Sequence, residues 1–296
     1  RRSWVMTPAV ARADRRGATW HGVSRCGPRE EKATGSSRRT RCPVGRVAPR
    51  DLVAWRAPIL RATRDIDLLA RTSNDLDGIK HIISEICRAD LPDDGVWFDS
   101  DSVTTTRIAE DADYEGVRAT FAGRLATTRI SMQIDIGFSD VVTPGPVEIS
   151  YPTILDYPAP VLRAYNRETV IAEKFDTMVS LGRLNSRMKD FFDVWLLAST
   201  SDFSGADLSA AILATFRRRG TELNAVPQAF EDDFLFDPSK QSQWTGFLKR
   251  MRPSEAPSTF SDALISIRAF LQPVHEALCS GDSFTMTWKH PGPWRQ

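Results

Sequence analysis

The sequence has no long apolar run and very little cysteine or histidine. No window approaches the roughly 18 consecutive apolar residues of a membrane helix, and the basic start RRSWVMTPAVARA has no apolar core typical of a secretory signal. Cys26, Cys42, Cys87 and Cys279 lie far apart without a Cys-x-x-Cys pair, which argues against a disulfide framework or a zinc site. The four histidines are scattered and predict no metal cluster. We therefore expect a cytoplasmic protein without membrane contact.

The formal net charge of +1 over 296 residues conceals an uneven distribution. Residues 1–50 hold 13 Lys and Arg against 3 Asp and Glu, and the remainder holds 26 against 35. Such a basic segment without a periodic apolar pattern buries too little surface to offset its ordering entropy, so we expect residues 1–50 to form a disordered basic arm. Its composition also fits a nucleic-acid-binding arm, an out-of-frame translation or, more weakly, a mitochondrial presequence.

From residue 51 onward the chain has the patterns of a folded protein with 41% hydrophobic residues overall. The stretch RDIDLLAR predicts a strand around residues 65–69, and Ser73 or Asn74 is expected to cap a following helix. Residues 117–121 and 130–138 alternate between apolar and polar positions, which predicts an antiparallel pair of strands. Residues 51–165 thus predict a domain of mixed α/β structure.

Residues 166–280 predict a second domain, made of helices. Asn166, Ser186, Ser204 and Asp237 stand where N-caps are expected, and the last helix is expected near residues 260–278. Residues 281–296 are expected to be a loose tail. The predicted fold class is α+β, with a mixed sheet followed by a helical domain.

Two carboxylates, Asp65 and Asp67, are one residue apart in the apolar strand RDIDLLAR. Side chains at i and i+2 of a strand project to the same face, so the two carboxylates repel each other unless a cation compensates them. Asp135 lies on the polar face of the strand ISMQIDIGF, and three acids converge if that strand neighbours the first. Carboxylate oxygens are the ligands that Mg²⁺ prefers, which predicts a metal site, although each acid alone could be an exposed surface residue.

A second group of charged residues lies in EKFDTMVSLGRLNSRMKDFFDVWLL. Lys174 is placed on an apolar helical stripe, whereas Lys189 and Asp193 are four residues apart, as in an ordinary solvated i,i+4 pair. Metal-held carboxylates and lysines that neutralise a triphosphate are together what nucleotidyl transfer requires.

The stretches TRDIDLLAR, LRAYNRETVIAEKF and LGRLNSRMKDFFDVWLLA resemble the AbiEii/AbiGii toxin family of type IV toxin–antitoxin and phage-defence systems. The resemblance spans about residues 52–250 and implies a polymerase-β-like nucleotidyltransferase fold. It implies Mg²⁺-dependent transfer of a nucleotide from a nucleoside triphosphate to RNA, with the tRNA 3′ end as the acceptor, and a cognate AbiEi-like antitoxin encoded nearby. By the same resemblance, the catalytic residues would be Asp65, Asp67, Asp135 and Lys174, and the three acids among them would bind the metal. The nucleotide-binding residues would be Lys174, Lys189, Asp190 and Asp193.

One departure from the family pattern lies just upstream of the resemblance. Family members have a glycine-containing segment before the apolar stretch, whereas this sequence reads GRVAPRDLVAW, with Pro49 and without a Gly-Gly pair. Backbone N–H groups beside glycine are well suited to approach a triphosphate. A catalytically inactive protein that binds a nucleotide or a partner is therefore the second hypothesis, and a metal-dependent phosphohydrolase is a distant third.

Overall fold

The structure is a computed structural model that describes residues 48–49, 66–89, 95–109, 115–150, 161–223, 227–253 and 255–296. Among these, two compact units are formed by the residues up to Asp140 with Pro146–Ala164, and by Val141–Gly145 with Tyr165–Gln296. Asp65 and nearly all of the predicted arm lie outside the described residues. The prediction of an α+β fold with a mixed sheet followed by helices is confirmed.

The first unit contains a five-stranded mixed sheet. Its strands are β1 (Ala48–Pro49), β2 (Ile66–Leu69), β3 (Val96–Ala109), β4 (Glu115–Leu125) and β5 (Thr128–Gly137), in the order β1-β2-β5-β4-β3. Only the central pair, β2 with β5, is parallel, and the other pairs within this sheet are antiparallel. Because β1 is paired with β2, Ala48 and Pro49 belong to the sheet and not to the arm predicted over residues 1–50. Proline is tolerated there since β1 is an edge strand.

Alternation of side chains explains why β4 and β5 form one wall of the core. Met132, Ile134 and Ile136 of β5 are buried in one hydrophobic cluster with residues of β4, and the predicted antiparallel pairing is confirmed. Helix α1 (Leu76–Cys87) adds its apolar face to the same cluster. Its N-cap is Asp75, whose Oδ2 accepts a hydrogen bond of 2.7 Å from the backbone N–H of Gly78, so the expected caps Ser73 and Asn74 are wrong by one or two residues.

The long strand β3 has no counterpart among the sequence predictions. Its residues VWFDSDSVTTTRIA carry many polar side chains and an irregularity in the pairing with β4 between Asp99 and Thr104, which breaks the alternation. Threonine nevertheless favours strands because it is β-branched. A short two-stranded sheet of β6 (Val147–Ser150) and β7 (Val161–Ala164) completes this unit.

The second unit is mainly helical. Its helices are α2 (Arg167–Leu181), α3 (Met188–Thr200), α4 (Gly205–Arg219), α5 (Asp232–Leu235), α6 (Pro238–Met251) and α7 (Phe260–Ser280), with 3-10 turns at Gly182–Leu184 and Gln228–Phe230. The predicted caps Asn166, Ser204 and Asp237 each accept a backbone hydrogen bond. The predicted start at Ser186 is wrong, since α3 begins at Met188 without a side-chain cap. None of the helices in the described ranges has the length and hydrophobicity that crossing a membrane requires.

The C-terminal segment is folded onto the helices, so the expectation of a loose tail over residues 281–296 is wrong. Strands β8 (Phe203–Ser204), β9 (Thr287–Trp288) and β10 (Trp294–Arg295) form a small antiparallel sheet. Trp288 and Trp294 are buried, and the ring of Trp294 stacks on Phe270 with centroids 5.6 Å apart. Their indole N–H groups donate to the backbone carbonyl oxygens of Ala198 and Phe270, respectively. Burial of two large aromatic rings stabilises a segment whose glycine and proline content suggested a tail.

Candidate functional site

A row of charged residues crosses three neighbouring strands of the mixed sheet. Asp67 of β2 is the register partner of Asp135 of β5, and Asp135 is the register partner of Arg118 of β4. Register partners project to the same face of a sheet, and adjacent strands lie about 4.8 Å apart. The structure therefore brings Asp67 and Asp135 together through the parallel pairing of β2 and β5. The condition for convergence, that the two strands are neighbours, is confirmed.

Asp135 is held by a bidentate ion pair. Arg118 donates from Nε to Oδ1 at 2.8 Å and from Nη2 to Oδ2 at 2.7 Å, so both carboxylate oxygens are engaged. The Asp135 side chain is 11% exposed, whereas that of Arg118 is 39% exposed. Two parallel charge-assisted hydrogen bonds fix the carboxylate in orientation as well as in charge. Gln133 adds longer contacts of 3.5 and 3.4 Å from Nε2 to the same two oxygens.

Sequence reasoning missed Arg118, although a signal for it exists. The apolar face of β4 carries Val117, Ala119 and Phe121, and alternation therefore places Arg118 on the opposite, polar face. That face carries Asp135 on the neighbouring strand β5. The pairing of an arginine with an acid across two antiparallel strands could thus have been proposed from the alternation once the register was known.

The carboxylates of Asp67 and Asp135 have the type of oxygen atom that Mg²⁺ prefers, and their residues are register partners on neighbouring strands. Asp67 is half-buried and has interactions of its own, while Asp135 is buried. The third acid of the predicted set, Asp65, lies outside the described residues. Within the part of the chain that is described, no group of three or more His, Cys, Asp and Glu side chains could hold a metal ion. The described groups at this position are therefore two neighbouring carboxylates and the guanidinium of Arg118, which is paired with one of them.

A second charged group lies in the helical unit, where α2 packs against α3. Lys174 Nζ is 2.8 Å from Oδ1 of Asp190 and 2.9 Å from Oδ2 of Asp193. The two carboxylate side chains are 5% and 1% exposed, and the Lys174 side chain is 16% exposed. Arg187, which the sequence predictions did not include, contacts the other oxygen of Asp190 at 3.1 Å. Each carboxylate of this buried group thus has a basic partner.

Lys189 is separate from this group. It is exposed, and no ion pair involves it among the described residues. The ordinary i,i+4 pair of Lys189 with Asp193 is not formed, because Asp193 is turned into the interior and pairs with Lys174 of the preceding helix. A desolvated carboxylate gains far more from a partner inside the protein than from an exposed lysine at the surface. The role of Lys189 in nucleotide binding stays a prediction.

A mixed sheet followed by a helical unit agrees with the nucleotidyltransferase fold that the family resemblance of the sequence implies. The family model described as "Nucleotidyl transferase AbiEii toxin, Type IV TA system" matches residues 52–266. The chain belongs to this family. The family name implies a nucleotide substrate and an antitoxin partner. A comparison with curated protein sequences finds no match.

Solved structures match this chain at low sequence identity and with TM-scores below 0.5. A candidate nucleotidyltransferase from Helicobacter pylori has 15% identity and a TM-score of 0.46, covering 81% of this chain and 91% of its own. The protein JHP933 from Helicobacter pylori has 14% identity and a TM-score of 0.47, covering 80% and 87%. The nucleotidyltransferase toxin MenT4 from Mycobacterium tuberculosis has 12% identity and a TM-score of 0.40, covering 81% and 86%. The family assignment rests on the family model.

Proposed function

We propose that this chain is an Mg²⁺-dependent nucleotidyltransferase toxin that transfers a nucleoside monophosphate from a nucleoside triphosphate to RNA, with the tRNA 3′ end as the acceptor. The observation that carries the proposal is the register pairing of Asp67 with Asp135, which brings two carboxylates side by side on one face of the sheet. Membership of the AbiEii family supplies the reaction class. The RNA acceptor comes from the family resemblance of the sequence.

In this proposal Asp67 and Asp135, with Asp65, hold the metal through their carboxylate oxygens. A metal held there would supply charge stabilisation for the triphosphate and activation of the attacking hydroxyl oxygen. Strands β2 and β5 fix the two described carboxylates because their backbones are hydrogen-bonded in one parallel ladder. The protein's own contribution at this site is therefore to position negative oxygen atoms before any ligand arrives.

Lys174 of the helical unit is proposed to contact the nucleotide, as the family resemblance implies. Its ammonium group lies between two carboxylates, which fix its position in a mostly buried place. The partial exposure of its side chain leaves the group within reach of solvent. Asp190, Asp193 and Arg187 are then the residues that hold Lys174 in place.

The test is a transfer assay with purified protein, total tRNA, Mg²⁺ and each labelled nucleoside triphosphate in turn. Asp67→Asn is expected to lower label incorporation by at least about 100-fold, since it removes a negative oxygen that holds the metal. Asp77→Asn is the matched control, because Asp77 is an exposed acid in the first turn of α1. Equal incorporation by Asp67→Asn and the wild type would contradict the proposal.

The second candidate function is nucleotide or partner binding without catalysis. It is favoured by the segment GRVAPRDLVAW, where Pro49 removes one backbone donor and a Gly-Gly pair is missing from the sequence. A wild-type protein that binds a nucleoside triphosphate in a calorimeter but transfers no label to any RNA would support this second function over the first.

A further inference from the structure

We propose that Arg118 competes with the divalent cation for Asp135 and thereby lowers the metal affinity of the site. The inference rests on the metal site of the proposed function and adds to it a residue that controls metal occupancy. Arg118 belongs to β4, and neither the sequence predictions nor the family resemblance assigns a residue of that strand to the site.

The guanidinium of Arg118 and a divalent cation would both bind to the carboxylate oxygen atoms of Asp135. Arg118 engages Oδ1 and Oδ2 of Asp135 at 2.8 and 2.7 Å, which is a complete bidentate pair. A carboxylate that coordinates Mg²⁺ directs at least one oxygen to the metal. A metal on either oxygen draws electron density away from the hydrogen bonds that Arg118 donates, so the two cations weaken each other's hold on Asp135.

Asp135 lies between Asp67 and Arg118 in the order of residues across the sheet. The row runs Asp67, Asp135, Arg118 over strands β2, β5 and β4, so Asp135 has an acid on one side and a guanidinium on the other. A metal shared by Asp67 and Asp135 lies toward β2, and Arg118 is anchored on β4. The two cations draw the Asp135 carboxylate in opposite directions and also repel each other over a few ångströms.

Asp135 and Arg118 differ in how far their side chains are exposed. The side chain of Asp135 is almost fully buried on a central strand, whereas more than a third of the Arg118 side chain is exposed at the end of a long flexible stem. An exposed guanidinium that gives up one partner is rehydrated at low cost. Arg118 is therefore the partner expected to shift when a cation binds, whereas Asp135 stays on its central strand.

The opposite role for Arg118 is also physically reasonable. A bidentate arginine can orient a carboxylate so that it is ready to bind metal, and in that case Arg118 would be a positioning residue that strengthens metal binding. The two roles predict opposite signs for the effect of removing the guanidinium, which makes a binding measurement decisive.

The experiment measures Mn²⁺ binding to the full chain by calorimetry, without nucleotide or RNA. Arg118→Gln is expected to bind Mn²⁺ about tenfold more tightly than the wild type, as removal of one nearby positive charge in a partly solvated site is worth roughly that factor. Arg118→Lys keeps the charge but loses the bidentate geometry, and its affinity is expected between the two. Arg124→Gln is the matched control: it removes an arginine six residues further along β4, about 20 Å away, and should leave the affinity within twofold.

Unchanged or weaker Mn²⁺ binding by Arg118→Gln would overturn the inference, and weaker binding would assign Arg118 the positioning role. Circular dichroism and Tm without metal show that the variants are folded. Asp67→Asn tests the metal site separately from the role of Arg118. If the wild type binds Mn²⁺ and Asp67→Asn does not, the metal site stands whatever Arg118 does. If Mn²⁺ binding is absent from the wild type and from Arg118→Gln, the metal site of the proposed function and the inference both fail.

Discussion

Replacement of Lys174 by methionine removes the cation between two buried carboxylates while it preserves most of the side-chain volume. Asp190 retains Arg187 at 3.1 Å, so the main loss falls on Asp193, whose side chain is 1% exposed. Removing one partner of a buried ion pair costs about 3–5 kcal/mol. The retained arginine and the partial exposure of Lys174 place the expected loss at the lower end, about 3 kcal/mol.

The assay is thermal unfolding followed by circular dichroism. At about 2–4 °C of Tm per kcal/mol, Lys174→Met is expected to lower Tm by roughly 6–12 °C. Lys189→Met is the matched control, because Lys189 is an exposed lysine on α3 without an ion pair among the described residues. A surface substitution of this kind changes stability by no more than about 0.5 kcal/mol.

A second substitution tests the mechanism of the loss. If the loss comes from the buried charge of Asp193 that has lost Lys174, the variant Lys174→Met with Asp193→Asn is more stable than Lys174→Met alone by about 1 kcal/mol or more, since an amide is cheaper to bury than a carboxylate. The reasoning is refuted if Lys174→Met and Lys189→Met have the same Tm. It is also refuted if the double variant is no more stable than the single one.

Two further predictions concern the C-terminal segment and the buried thiol. Asp202 accepts hydrogen bonds from Lys289 and His290, which lower its pKa below the ordinary value of 3.8. The stability that these bonds add is present above pH 3.8 and is lost as the pH falls through the lowered pKa of the folded state. Asp202→Asn is therefore expected to have a lower Tm than the wild type at pH 6, and this difference should shrink below pH 3.8. Burial raises the pKa of the Cys87 thiol to about 12, so iodoacetamide at neutral pH should label the exposed Cys279 and leave Cys87 unmodified until the protein is unfolded, as read by peptide mass spectrometry.

The features that could be predicted from the sequence are those fixed by neighbours along the chain. The caps at Asn166, Ser204 and Asp237 depend on hydrogen bonds to residues two or three positions away, and these predictions were correct. The pairing of β4 with β5 follows from two alternating runs joined by a short turn. In both cases the physical cause is local and is therefore visible in a short stretch of sequence.

The features that could not be predicted depend on competition between local and distant partners. Asp193 has Lys189 one helical turn away, yet it pairs with Lys174 because the packing of α2 on α3 removes Asp193 from water. The segment after Gly281 has a turn-like composition, yet Trp288 and Trp294 hold it against the helices. In each case burial decides the outcome, and burial depends on which elements pack together.

The candidate metal site was predictable only conditionally. Side-chain alternation places Asp135 on the polar face of β5, but its proximity to Asp67 requires that β2 pair with β5 in parallel, which a 4-residue strand does not reveal by itself. The partner Arg118 depends on the register of β4 with β5 to the single residue, since a slip by one position would turn Arg118 to the other face.

Lys174 and Arg118 differ in how far they are exposed to water, and this difference predicts different effects when each cation is removed. Lys174 lies between two carboxylates that are nearly inaccessible to water, so its removal leaves a charge that solvent cannot reach. Arg118 faces one buried carboxylate from a partly solvated position, so its removal is expected to raise the metal affinity of the proposed site. A fixed cation is expected to affect Tm most, and an exchangeable cation is expected to affect metal affinity most. Measuring both quantities for Lys174→Met and Arg118→Gln therefore assigns each cation its role independently of catalytic activity.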